Sequence, residues 1–139
     1  MKMGKALIAK PGEKIEEIEL DYDNFEFMQK CVGGYVQAVY PYEDPVAVLC
    51  NEDGKMNRLP VNRSMKQDDG TPFRDEAGNI YDVFVGTILI VGCGEEDFCP
   101  LTPELLKKYG NMYKLPEQLI KINGILQTVP YEPDELGGL

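Results

Sequence analysis

The stretch Tyr81-Asp82-Val83-Phe84-Val85-Gly86-Thr87-Ile88-Leu89-Ile90-Val91 reads as the strongest strand in the chain. It is rich in β-branched and aromatic residues that pack well on a pleated sheet. Gly86 interrupts the run and marks a bulge or a close approach of backbone. The apolar part, Val83 to Val91, falls about ten residues short of a bilayer crossing, so no membrane insertion is expected.

Upstream of this strand, residues 66–80 carry two glycine-centred turns, at Asp69-Gly70 and Gly78-Asn79, and read as a surface excursion or a small hairpin. Val46 to Cys50 is a continuous apolar run and predicts a central strand buried on both faces. Asn51-Glu52-Asp53-Gly54 then signals a hairpin, with Lys55 to Leu59 returning to pair until Pro60 ends it. Tyr35 to Tyr40 predicts another strand, followed by a turn through residues 41–45. Alternation puts Tyr35 and Tyr40 on opposite faces, which predicts that at least one lies in the core. A helix is predicted over Asn24 to Val32, with Asp23 as cap, Glu26 completing a capping box, and Phe25, Met28 and Val32 on one apolar face. Gly33-Gly34 supplies its left-handed stop. Lys5 to Ala9 and Ile15 to Leu20 read as strands around a Lys10-Pro11-Gly12 turn.

Downstream, Thr102 caps a second helix that starts at Pro103, with Glu104 at the positive end of the dipole, and runs to about Tyr109 before Gly110. Leu119 to Ile122 and Ile125 to Val129 flank Asn123-Gly124, a strong hairpin signal; a short helix from Pro116 to Ile122 competes with it. Strands with two short helices and no strict βαβ alternation predict an α+β fold with a largely antiparallel sheet. The expected organisation is a single domain over residues 1–130, then an acidic flexible tail over 131–139.

The 139 residues are 43% apolar and 27% charged, the balance of a folded domain, and carry a net charge of −10. That charge argues against general nucleic-acid binding, which needs a basic face to displace counterions. No histidine is present, which removes Ser-His-Asp and Cys-His catalysis, histidine-ligated metals and histidine pH switches. The opening segment is apolar over only four residues before Lys10-Pro11, so no secretory signal is read there and a cytoplasmic setting is expected. In that setting Cys31, Cys50, Cys93 and Cys99 are expected to stay reduced, the first two in core-like surroundings. Five residues separate Cys93 from Cys99, against two to four in zinc knuckles, so neither a metal nor any other cofactor is expected. Glu95-Glu96-Asp97 lacks the staggered oxygen spacing of a calcium loop and reads as a solvated turn.

Charge is unevenly spread. Lys55 to Lys66 holds four basic residues, Lys55, Arg58, Arg63 and Lys66, and no acid. Arginine offers a planar fork for carboxylate or phosphate, so Arg58 and Arg63 with Lys55 and Asn62, and the neighbouring acceptors Asn51 and Glu52, form the candidate site for an anion or polar ligand. The competing reading pairs these arginines with Glu52, Asp68, Asp69 or Asp75 on a solvated surface. No residue is assigned a catalytic role.

The segments Gln29 to Tyr40, Asn51 to Lys55 with Leu59 to Arg63, and Tyr81 to Thr87 with Ile90 to Gly92 form three motifs, joined by Lys10-Pro11-Gly12 and Leu101-Thr102. Over roughly residues 5–110 the chain resembles domain of unknown function 3846, a family of phages and mobile elements of Gram-positive bacteria. The resemblance implies a cytoplasmic accessory role in such an element, including one that counters host defence, and supplies no catalytic residues. Three function classes follow as expectations: a non-enzymatic protein that binds a host protein or small anionic ligand, an acidic DNA mimic that inhibits a nucleic-acid-binding protein, and a carboxylate/lysine enzyme using Glu52 and Lys55.

Overall fold

A computed structural model describes residues 2–133, and among them ten strands and two helices form. The main sheet runs in the order β2 (Glu16–Asp21), β1 (Met3–Ala9), β7 (Ile88–Cys93), β4 (Val46–Asn51), β3 (Val36–Val39), with β8 (Phe98–Cys99) also on β7. Every pairing in it is antiparallel. The class is α+β, as the sequence predicts.

Alternation along the central strands separates two cores. Ala6, Ile8, Ala47, Leu49, Leu89 and Val91 point to one face, covered by Met28 of α1 (Phe25–Val32) with Cys31 packed beside it. Leu7, Ala9, Val46, Val48, Cys50, Ile88 and Ile90 point to the other. There they meet Leu106 and Tyr109 of α2 (Pro103–Met112), Tyr113 beyond it, and Phe84 of β6 (Val83–Val85). Burial on both sides is what a continuous apolar run such as β4 requires, and all six of its residues are buried. β5 (Val61–Ser64) pairs with β6, and β9 (Glu117–Ile122) with β10 (Ile125–Pro130), as two small antiparallel ribbons beside the main sheet.

The expected single strand over Tyr81–Val91 is two strands in two different sheets. Gly86, at φ 71°, turns the chain between β6 and β7. The turn is fixed by Gly86 N–H donating to Pro60 C=O at 2.7 Å and by Leu59, whose Cδ1 lies 2.7 Å from where a Cβ on Gly86 would stand. The Asp53-Gly54 hairpin does not form either. Gly54 is absent from the positive-φ residues that a two-residue turn of that type needs; the left-handed residue is Arg58, at φ 56°. Residues 52–59 instead coil in successive turns, with Asn57 N–H on Asp53 C=O and Leu59 N–H on Gly54 C=O. The returning strand starts after Pro60 and pairs with β6 rather than β4.

Smaller differences have local causes. Asn24, not Asp23, caps α1: its Oδ1 accepts from Phe27 N–H at 3.0 Å, while Asp23 N–H is held by Asp21 Oδ1. Phe25, at the first helical position, overhangs the packed face and is half exposed. Tyr35 and Tyr40 are both exposed, because β3 is a short edge strand and each tyrosine lies just beyond one end of it. α2 runs through Gly110 to Met112, carrying both Tyr109 and Tyr113 into the core.

Thr102 caps α2 as predicted, accepting from Leu105 N–H, and Asn123-Gly124 turns the β9–β10 hairpin with both residues at positive φ, so the competing helix is not formed. The four cysteines are free thiols. No helix among the described residues is long and apolar enough to cross a membrane. Most of the expected flexible tail, residues 134–139, lies outside the described residues.

Candidate functional site

The basic segment divides between the interior and the surface. Arg63, on β5, is fully buried. Its Nε donates to Tyr113 C=O at 2.7 Å, Nη2 to Glu13 C=O at 2.7 Å and Lys114 C=O at 3.2 Å, and Nη1 to Lys10 C=O at 3.3 Å and to Asn62 Oδ1. Burial brings the guanidinium down to about 10, which leaves it charged at neutral pH. Asn62 is buried beside it and donates to Ala9 C=O and Gly86 C=O, both at 2.8 Å. Together they bind the β1–β2 turn, the Gly86 turn and the chain after α2.

Lys66 is also enclosed. Its ammonium pairs with Glu117 Oε2, donates to Ser64 Oγ at 3.2 Å and lies 5.8 Å from the Tyr113 ring centroid. Glu117 Oε1 accepts from Ser64 N–H at 3.1 Å and Oγ at 2.8 Å. Burial alone would raise the Glu117 carboxyl, but the Lys66 charge and these hydrogen bonds outweigh it and hold the carboxyl below its ordinary value. The Tyr113 hydroxyl, 2.5 Å from that of Tyr42, accepts from Lys66 N–H; its burial pushes it up to about 12.

Lys55, Met56 and Met65 of the segment line a cavity of about 470 Å³ at the β3 side of the main sheet. Val39, Met65 and Phe84 give it an apolar wall, and Gln37, Cys50, Asn51, Glu52, Asp53, Lys55 and Asp82 give it polar groups. Asn51 shapes the mouth: its Nδ2 donates to Val32 C=O at 3.1 Å, tying the turn to the end of α1, and its Oδ1 accepts from Asp53 N–H at 2.8 Å. Lys55 forms an ion pair with Asp82 across the opening. Cys50 Sγ donates to Gln37 C=O at 3.7 Å, and burial, aided by Asp82 and opposed by Lys55, pushes its thiol up. It is therefore a thiol at neutral pH and no ready nucleophile.

Of the six candidate residues, Asn51, Glu52 and Lys55 meet at this cavity. Asn62 and Arg63 serve the interior, and Arg58 is exposed on the surface away from the lining. Among the described residues neither Arg58 nor Arg63 pairs with Glu52, Asp68, Asp69 or Asp75, and Lys55 and Lys66 pair with Asp82 and Glu117. Gln37, Cys50, Met56 and Asp82 were not among the candidates. Alternation along β3 and β4 places Gln37, Val39 and Cys50 on one face, which is the signal that identifies them; Asp82 arrives through β5–β6 pairing, which no local pattern encodes.

A second cavity, of about 570 Å³, lies between Tyr22, Phe25, Tyr40 and the Cys93–Phe98 turn. Asp23, Glu95, Glu96 and Asp97 line it with Lys2. Among the described residues no group of acids and cysteines is arranged to hold a metal.

A model of the family described as Domain of unknown function (DUF3846) matches residues 1–114. The match runs from β1 past the end of α2 and stops short of the β9–β10 hairpin. No curated protein and no solved structure matches the chain.

Proposed function

The chain belongs to the DUF3846 family, whose description assigns no activity, and from that premise we propose that it is a non-enzymatic binding protein that engages a host protein through the cavity beside β3. The setting it fits is the cytoplasm of a bacterium carrying a phage or mobile element, where such a protein would act as an accessory factor against host defence. The observation that carries the reading is the cavity itself, which gathers Asn51, Glu52 and Lys55 with Asp82 around an apolar wall. Three carboxylates, Glu52, Asp53 and Asp82, face a single ammonium there. That balance favours a protein partner over a small anion, since the arginine fork best suited to an anion is Arg63, enclosed and engaged with backbone carbonyls. Support for a non-enzymatic role comes from Cys50, held as a thiol, and Lys55, held in an ion pair.

Quantitative retention of host-lysate proteins on the immobilised chain tests this reading. A specific component should be retained by the wild type and lost at least tenfold in Val83→Trp, whose indole intrudes into the cavity while circular dichroism stays unchanged. Equal retention by that variant overturns the assignment of the cavity.

A further inference from the structure

β3 ends the main sheet and has one neighbour, β4. Glu52 N–H donates to Tyr35 C=O at 2.8 Å. With the β3–β4 register, this makes Tyr35/Glu52, Gln37/Cys50 and Val39/Val48 the hydrogen-bonded pairs. Val36 and Ala38 therefore turn their N–H and C=O groups to the open side, and among the described residues nothing bonds them. The two edges of the sheet differ. β2 carries Glu16, Glu17 and Glu19, the charges that keep an edge from pairing with another chain, whereas β3 is Val-Gln-Ala-Val. Tyr35 and Tyr40, 70% and 62% exposed, flank it; exposed tyrosine is a residue type enriched at binding hot spots.

The cavity lies on the side of the sheet to which Gln37 and Val39 point. A strand added about 4.8 Å outside β3 would send alternate side chains to that same side, at the cavity mouth. Glu52 and Asp53 are exposed there and form no ion pair among the described residues.

We infer that β3 accepts an extended segment of the partner polypeptide as an added strand, with a lysine or arginine side chain of that segment directed to the carboxylates of Glu52, Asp53 and Asp82. The inference rests on the reading of the cavity as a protein-binding site and specifies the mode: main-chain bonds supply affinity, and the acidic mouth supplies selectivity. Charge selects the occupant. A second copy of the chain carries a net −10 and has no basic residue between Tyr35 and Tyr40, so it brings repulsion and nothing for the mouth.

The test uses the full chain and a library of acetylated, amidated heptapeptides of β-branched residues with Lys, Arg, Glu or Leu fixed at the centre. The central Lys and Arg peptides should be retained at least tenfold more than the Glu and Leu peptides, and should shift the backbone amide resonances of Val36, Ala38 and Glu52. Ala38→Pro should abolish retention without disturbing the fold, because it removes an outward N–H and leaves the ladder to β4 intact; Glu52→Lys/Asp53→Lys should reverse the charge preference. Retention independent of the central residue, or unchanged in Ala38→Pro, overturns the inference, as does a dimer in sedimentation at pH 7 that Ala38→Pro abolishes. If Val83→Trp loses the host component and Ala38→Pro keeps it, the cavity assignment stands and strand addition falls. If both keep it, both fall.

Discussion

A methyl group on Gly86 would stand 2.7 Å from Leu59 Cδ1 on a backbone at φ 71°, so an alanine there meets both a clash and a disfavoured conformation. Gly86→Ala should lower stability by about 2 kcal/mol, seen as a lower urea midpoint with unchanged slope. Arg63→Lys should lower it further, by about 3 kcal/mol, because one ammonium cannot reach acceptors on Lys10, Glu13, Tyr113 and Lys114 together. These two residues also show where a sequence stops informing. Gly86 is visible as punctuation in an apolar run, but its role as a switch between sheets depends on Pro60, Leu59 and Asn62, more than twenty positions earlier. Arg63 presents the same fork to any carboxylate, phosphate or carbonyl; that it meets carbonyls follows from the folding of two distant segments, 10–13 and 113–114, around it.

The β9–β10 hairpin lies beyond the family match, yet it is tied to the core at the level of elements. Glu117, on its first strand, supplies the partner of the buried Lys66 on the chain after β5. Glu117→Ala should therefore cost about 3–5 kcal/mol by leaving an unpaired buried ammonium, and Lys66→Met/Glu117→Leu should recover most of the loss, both measured by urea unfolding. The pH dependence has a defined sign. With its folded carboxyl held below the unfolded value of 4.5, Glu117 contributes stability that is fully present above that pH and is lost as pH falls through the folded value. Unfolding curves from pH 7 down to pH 3 should fall more steeply for the wild type than for Glu117→Gln; parallel curves would refute the linkage. The hairpin itself was readable because Asn123-Gly124 decides its turn locally. Asp53-Gly54 carries a similar signal, but Gly54 N–H donates to Asn51 C=O at 3.2 Å and its C=O accepts from Leu59 N–H at 3.0 Å, so the segment coils on through residue 59 instead of returning after two residues.

At the scale of the whole molecule, hydrophobic periodicity suffices for the α+β class and the antiparallel sheet, since each buried face leaves its own pattern. Which strand ends the sheet leaves none. β4, a continuous apolar run, is legible as a central strand, whereas β3 reads only as a strand, with nothing local to say that it has a single neighbour. The open edge becomes meaningful only with the charge around it. At neutral pH the net −10 is a repulsion that opposes pairing of two copies along the β3 edge. Near pH 4.4, the isoelectric point, that repulsion vanishes and the edge remains. Light scattering should therefore show dispersed monomer at pH 7 and growing assemblies as pH approaches 4.4. Ala38→Pro changes no charge, so its effect isolates the edge: assembly through β3 requires that this variant stay dispersed where the wild type does not. Assembly of both to the same extent would mean that lost repulsion acts on some other surface, and would leave β3 as an edge its short length already protects.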